Sequence, residues 1–224
     1  MIDLHTHTLF SDGELVPSEL ARRAKDIGYK AIAFTDHADF SNVEFILSNV
    51  AKVTQGLEKY FGLYVFYGVE ITHVPPELIP ESVNLSRKLG AEIVVVHGES
   101  PVEPVKKGTN RAAISAKCDI LAHPGFITAE DALLAKENDV ILEISARNGH
   151  SLANGHVFRM ARQTSAKYML DTDTHSPDNL INKEFASVIL KGAGMNDKEV
   201  QRAFKTAENK LESLLRKRYD KKNV

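Results

Sequence analysis

Histidines and carboxylates recur along this 224-residue chain at the ends of short apolar runs. The series opens with Asp3-Leu4-His5-Thr6-His7. It continues through Thr35-Asp36-His37, Gly68-Val69-Glu70, Val96-His97, Ala122-His123-Pro124 and Asp173-Thr174-His175. Imidazoles and carboxylates delivered from several strand ends are what a multinuclear metal site looks like in one dimension. In a strand, alternate residues share a face. His5 and His7 therefore point the same way, with Asp3 in their parity. Asp173 and His175 repeat the device, with Asp171 in phase. Such donors suit Zn²⁺, Mn²⁺ or Fe²⁺, whereas a pure Mg²⁺ site holds fewer imidazoles and more water.

The strongest candidate ligands are His5, His7, Asp12, His37, Glu70, His97, His123, Asp173 and His175. A catalytic zinc takes about three protein ligands and keeps a place for water. This set therefore implies two or three divalent ions, and Glu70 in the middle strand is the natural bridge. The plain alternative is a set of hydrogen-bonded core histidines. So many imidazoles on one rim would be hard to satisfy without cations.

The elements that must position these groups alternate. Strands are predicted over 2–7, 31–37, 64–72, 92–97, 120–123, 140–146 and 168–175. Helices are predicted over 17–28, 43–60, 76–89, 110–117, 129–138, 152–164, 182–191 and 197–218. Alternation of this kind implies a parallel sheet covered by helices. An open sheet would leave its outer strands too far apart to share one site, while a barrel gathers all C-terminal strand ends on one rim. The fold class is thus α/β, a distorted seven-stranded (β/α) barrel related to the TIM barrel. The basic stretch from Arg216 to Lys222 reads as a solvated helix end.

Composition bounds the rest. The length fits one domain spanning residues 1–224. A formal net charge of −2 does not argue for a nucleic-acid or anionic-membrane partner. With the single cysteine Cys118, no intrachain disulfide can form, and a reducing cytoplasmic setting is expected. No apolar run approaches the roughly 20 residues needed to span a bilayer. Because the histidine motif starts at the fifth residue, neither a leader nor an N-terminal accessory domain is expected. Nothing in the sequence sets an oligomeric state.

His5-Thr6-His7-Thr8 with Ser11-Asp12-Gly13, then Thr35-Asp36-His37, Gly68-Val69-Glu70, His97, His123-Pro124-Gly125 and Asp173-Thr174-His175, resemble the motifs of the PHP (polymerase and histidinol phosphatase) superfamily. The resemblance runs from residue 3 to about 176. It implies a distorted seven-stranded barrel and a trinuclear site. One ion would take His5, His7, Glu70 and Asp173, a second Glu70, His97 and His123, and a third Asp12, His37 and His175.

Other residues follow from position. Asp36 has the opposite strand parity to His37 and reads as a group orienting the catalytic centre. Glu143 is either such an orienting group or a core polar residue. Arg147, following the sixth strand, faces the rim and could grip a phosphate bidentately. Lys107, Asn110 and His150 also fall on rim loops as candidate substrate contacts. His73, beside two prolines, and His156, on a helix, are expected at the surface.

A cluster of two or three divalent ions suits phosphoester hydrolysis, because the ions offset phosphate charge and activate water near neutral pH. Asp173 or His175 could protonate the leaving group. The first expectation is a phosphatase for a small phosphate monoester, resembling histidinol-phosphate phosphatase. The second is a nuclease or nucleotide phosphodiesterase, less favoured because it would want a basic groove. The third is a non-catalytic module stabilising a partner, against which the full ligand set argues.

Overall fold

A computed structural model describes residues 1–222; residues 223 and 224, included in the single-domain expectation, lie outside it. The strands are β1 (Ile2–Thr6), β2 (Ala31–Phe34), β3 (His37–Ala38), β4 (Tyr64–Ile71), β5 (Ile93–His97), β6 (Ile120–Ala122), β7 (Ile141–Ser145) and β8 (Tyr168–Asp171). The helices are α1 (Pro17–Asp26), α2 (Val43–Phe61), α3 (Ile79–Lys88), α4 (Thr109–Ser115), α5 (Ala129–Glu137), α6 (Asn154–Thr164), α7 (Lys183–Gly192) and α8 (Asp197–Lys222). Seven strands run parallel in the order β1-β2-β4-β5-β6-β7-β8, and the two-residue β3 pairs with β4. Among the described residues no helix is long and apolar enough to cross a membrane.

The ring nearly closes between β1 and the end of β8. The His7 amide donates to the Thr174 carbonyl at 2.8 Å, and the Asp173 amide to that of His5 at 2.9 Å. Lower down, side chains fill the seam. The Leu4 amide donates to Asp171 Oδ1 at 2.7 Å, and the Thr172 amide to Asp3 Oδ1 at 3.1 Å. The expected distorted seven-stranded barrel is the observed fold.

Alternation along each strand divides the core in two. Ile32, Val94, Val96, Leu121 and Leu142 face the helices. Phe66, Ile93, Val95, Ile120, Ala122 and Met169 pack together with Ala207, Leu211 and Leu214 of α8. The last helix thus closes the barrel end opposite the candidate site. Burying each such leucine contributes roughly 1.5–3 kcal/mol. Close approach of two strands depends on Gly68, where a Cβ would fall 1.9 Å from the Ile93 carbonyl oxygen.

Three expectations are corrected. The strand predicted over 31–37 breaks after Phe34, because the Glu70 amide takes the carbonyls of both Thr35 and Asp36. The strand predicted to His175 ends at Asp171, since Asp173 adopts a left-handed backbone (φ 52°). The basic tail is only partly the solvated end expected, with Arg216 and Lys217 exposed but Arg218 not. Helix α8 continues to Lys222, and Arg218 lies half-buried, its guanidinium on Glu58, Glu92 and the Val65 carbonyl.

Candidate metal centre

The C-terminal strand ends converge as the alternation demands. His5 and His7 project together from β1, their Nε2 atoms 3.1 Å apart. Glu70, from the end of β4, lies below both: Oε1 is 3.4 Å from His5 Nε2, and Oε2 is 3.5 Å from His7 Nε2. Asp173 Oδ1 stands 3.1 Å from His7 Nε2 and 3.7 Å from His5 Nε2. A tetrahedral site with metal–ligand bonds of about 2.0–2.1 Å has edges of roughly 3.4 Å. The separations among His5, His7 and Glu70, whose donor atoms form one close group, match such an edge, and Asp173 joins His5 and His123 in another.

Beside them lies a second group of His7, Asp12, His37 and His175, whose donor atoms all fall within 4.8 Å of one another. Asp12 Oδ1 is 3.1 Å from His175 Nε2 and 3.5 Å from His37 Nε2. A third group joins His97, His123 and His150, and a fourth joins His5, His123 and Asp173. Glu70 spans the set, since its Oε1 also lies 3.6 Å from His123 Nε2 and its Oε2 lies 2.7 Å from His37 Nδ1.

Charge and burial are extreme here. His5, Glu70, His97, His123 and Asp173 are all buried. Burial works against an ionised Glu70, yet His5, His37 and His97 outweigh it and hold its carboxyl well below the ordinary range. Burial, aided by the charge of His37, drives His7 down to about 3. For His37 itself burial loses to Glu70 and Asp12, and its pKa rises to about 9. His7 Nδ1 and His123 Nδ1 are buried with no hydrogen bond, while both Glu70 oxygens, Asp173 Oδ1 and His175 Nε2 face only other donors of the same cluster. Orphaned atoms of this kind cost roughly 1–3 kcal/mol each. Divalent cations would satisfy them, and the mix of imidazole and carboxylate fits borderline metals.

Supporting side chains orient the donors. Glu143 Oε2 lies 2.6 Å from His5 Nδ1, an orienting contact. Thr72 Oγ1 is 2.7 Å from His37 Nδ1. His123 (φ 28°) and Asp173 hold left-handed backbones without being glycine, and strain of this sort tends to gather at functional sites.

Not every expected residue meets the cluster. Asp36 points into the loop after β1, accepting from the Thr8 amide (2.7 Å), the Thr8 hydroxyl and the Ser11 hydroxyl (3.0 Å). It shapes the segment that carries Asp12 and makes no contact with His37 there. The Asn110 amide is spent between loops: Oδ1 accepts from the Glu99 amide at 2.9 Å, and Nδ2 donates to the Pro124 carbonyl at 2.8 Å. Both ends are thus engaged by backbone, and the side chain is buried. Lys107 is exposed on the same loop. Arg147 does reach the rim, with Nη1 donating to the Asp173 carbonyl at 3.1 Å and lying against His175 Nδ1. His150 is buried among the imidazoles, stacked on His123 with ring centroids 4.0 Å apart. His156 is half-buried rather than superficial, its Nε2 being 2.7 Å from the Ile127 carbonyl.

Glu103 was not legible as a site residue. Its Oε2 lies 3.1 Å from His97 Nε2 and 3.3 Å from the exposed His73 Nε2, and its Oε1 lies 3.4 Å from His150 Nε2. It sits on an irregular loop where no periodicity operates. The available signal was an acid between two prolines, Pro101 and Pro104, shortly after a ligand-bearing strand.

Comparison with known proteins agrees with this geometry. An archaeal protein, uncharacterized protein MJ1295 of Methanocaldococcus jannaschii, is 51% identical over 89% of this chain and 92% of its own. The DNA polymerase/3'-5' exonuclease PolX of Bacillus subtilis is 25% identical over 80% of this chain, which spans only 35% of that protein. A chain in the structure of an archaeal ribonuclease P with mature tRNA superposes with a TM-score of 0.71 at 18% identity, covering 93% of this chain and 89% of that one; it shares the fold. The PHP domain model matches residues 3–171, reaching every strand and every motif but the last, Asp173-Thr174-His175. The chain belongs to the PHP domain family.

Proposed function

We propose that this protein is a divalent-metal-dependent phosphoesterase acting on a small phosphate monoester. The observation that carries the reading is the ring of donors around Glu70, spaced like coordination polyhedra and left with orphaned buried atoms. Ions bound there would offset phosphate charge and supply a water nucleophile near neutral pH. The remaining tasks fall to the chain.

His5, His7, Glu70 and Asp173 would hold one ion, Glu70, His97 and His123 a second, and Asp12, His37 and His175 a third. Zn²⁺, Mn²⁺ and Fe²⁺ all suit these donors. The donor layer is buried, while the side chains of Asp12 (55% exposed), His37 (26%) and Arg147 (29%) open it to solvent on one side. Arg147 is placed there to pair with the outer oxygens of a terminal phosphate. Asp173 is a poor candidate for protonating the leaving group. Although burial favours its neutral form, His5 and His7 hold its carboxyl far below the ordinary range. His175 is no better placed, because its Nε2 would hold the third ion and its Nδ1 lies 2.9 Å from the Asp173 carbonyl. Asp36 acts through the loop that carries Asp12.

A second reading is a nuclease or nucleotide phosphodiesterase. It is favoured by the similarity to a polymerase/3'-5' exonuclease over most of this chain. A non-catalytic module would have no need of the complete donor set.

The test is hydrolysis by protein stripped of metal and reloaded with Mn²⁺, Zn²⁺ or Fe²⁺. Substrates are p-nitrophenyl phosphate, histidinol phosphate, nucleoside monophosphates, and single-stranded DNA and RNA, assayed side by side. Monoester hydrolysis that vanishes with chelator and with His97→Ala is expected. Cleavage of the nucleic acids alone would replace the first reading by the second, and activity indifferent to chelation would end both.

A further inference from the structure

His150 lies outside the motif set, yet it is buried at the centre. It enters from a 3₁₀ turn over His150–Ala153, directly after Gly149, whose φ of 88° turns the chain inward. Its Nδ1 is 2.6 Å from the Ser100 hydroxyl. When Nδ1 donates to that oxygen, the lone pair is left on Nε2. That atom faces the cluster, 3.4 Å from Glu103 Oε1 and 3.8 Å from Asp173 Oδ2. His97 has the same arrangement, with Nδ1 3.1 Å from the Gly98 carbonyl and Nε2 turned inward. A ring nitrogen held by one partner while the other faces a shared centre is how ligating histidines are oriented.

The pieces share one space. The rings of His123 and His150 stack at 4.0 Å with planes 13° apart, and His97 meets His123 at 4.4 Å. Donor nitrogens of His97, His123 and His150 all lie within 4.8 Å of one another. On the outer side Glu103 presents one oxygen to His97 and the other to His150, at 3.1 and 3.4 Å, and it groups with His97 and the exposed His73, 3.3 Å away, rather than with His123. Those separations match the edge of a coordination polyhedron, roughly 3.4 Å.

We propose that His150 and Glu103 are additional ligands of the ion held between His97 and His123. This rests on the metal-centre reading given under Proposed function and deepens it. With Glu70, His97 and His123, His150 fills a fourth position and Glu103 a fifth. Zinc sites closed by four protein ligands are structural, while catalytic ones keep a position open. This ion is therefore a fixed one, held by a loop carboxylate on the outer side. Ser100 is a positioning residue, acting through His150.

The experiment is metal content and affinity, independent of turnover. Wild type, His150→Ala, Glu103→Gln and Ser100→Ala are stripped, reloaded with Zn²⁺, dialysed and counted by elemental analysis. Affinities come from competition with a chromophoric chelator, and coordination from the visible spectrum of Co²⁺-loaded protein. We expect His150→Ala to retain one ion fewer than wild type. Ser100→Ala should weaken one ion by roughly 10- to 100-fold. Glu103→Gln should weaken the same ion by at least about tenfold and change the Co²⁺ band. Wild-type content, affinity and spectrum in the variants would overturn the proposal while leaving the metal centre intact. A wild-type protein holding fewer than two ions would overturn the metal centre itself. Should His150→Ala lose its circular-dichroism signature, Glu103→Gln decides alone: unchanged affinity and spectrum overturn the proposal.

Discussion

Glu143 Oε2 lies 2.6 Å from His5 Nδ1, and the opposite ring nitrogen of His5 faces Glu70 at 3.4 Å. The carboxylate, on β7, the next-to-last strand of the sheet, thus fixes the ring that begins the whole donor series. Burial alone would push His5 down, but Glu143, Glu70 and Asp173 together lift its pKa well above the ordinary value. A ligand histidine oriented by a carboxylate typically loses 10–100-fold in metal affinity when that partner is removed. Glu143→Gln, which keeps the shape, is expected to weaken one ion by about tenfold or more in a chelator-competition titration while leaving the fold intact.

Arg147 binds the Asp173 carbonyl with one nitrogen and is about 29% exposed, so part of its fork faces the entrance. Pairing with phosphate oxygens needs that planar fork, which an ammonium does not reproduce. Arg147→Ala should raise the KM for p-nitrophenyl phosphate by roughly tenfold, worth about 1.4 kcal/mol. Arg147→Lys should recover only part of the loss. Steady-state kinetics with unchanged ion content separate this from damage to the cluster.

Gly68 precedes Glu70 by two residues on β4, and there is no room for a side chain. An added Cβ would lie 1.9 Å from the Ile93 carbonyl oxygen and 2.7 Å from Ile93 Cγ2. Both neighbours belong to β5, so the strands must part. Overpacking of this kind costs roughly 1–3 kcal/mol. Gly68→Ala should lower the midpoint of thermal unfolding and, by moving Glu70, also reduce the number of ions retained after dialysis.

Much of the site could be read from the sequence because its donors sit on regular strands. The two-residue step from His5 to His7, and the placing of Glu70 and His97 at the ends of apolar runs, follow directly from the pleat. Where the backbone leaves that geometry, pattern fails. Asp173 and His175 reach the cluster through a left-handed turn, not the extended strand that their spacing suggested. Glu103 arrives on a loop, and its partners His97 and His150 are neighbours only after folding. Asn110 had the composition of a rim contact, but its amide joins two loop backbones. Arg218 pairs with Glu58 and Glu92, 160 and 126 residues away, and no local window could have revealed that.

At the opposite end of the barrel, Asp119 opens β6 with its carboxylate buried. Oδ1 accepts from Lys210 Nζ at 2.6 Å, and Oδ2 from the Val94 amide at 2.9 Å, tying helix α8 to the sheet. Burial favours the neutral acid, but Lys210 outweighs it and the pKa lies below the ordinary carboxylate value. A carboxyl depressed on folding adds stability above its unfolded pKa, about 3.9, and loses it as pH falls through the lower folded value. Breaking a buried pair from one side costs on the order of 3 kcal/mol. Urea unfolding of Asp119→Asn at pH 7 should show a deficit of that order. The deficit should shrink steadily below about pH 4, as the wild-type carboxyl is itself protonated and Lys210 loses its partner in both proteins. A gap that stayed constant down to pH 3 would mean that Asp119 holds α8 by packing and the Val94 hydrogen bond alone, with no contribution from its charge.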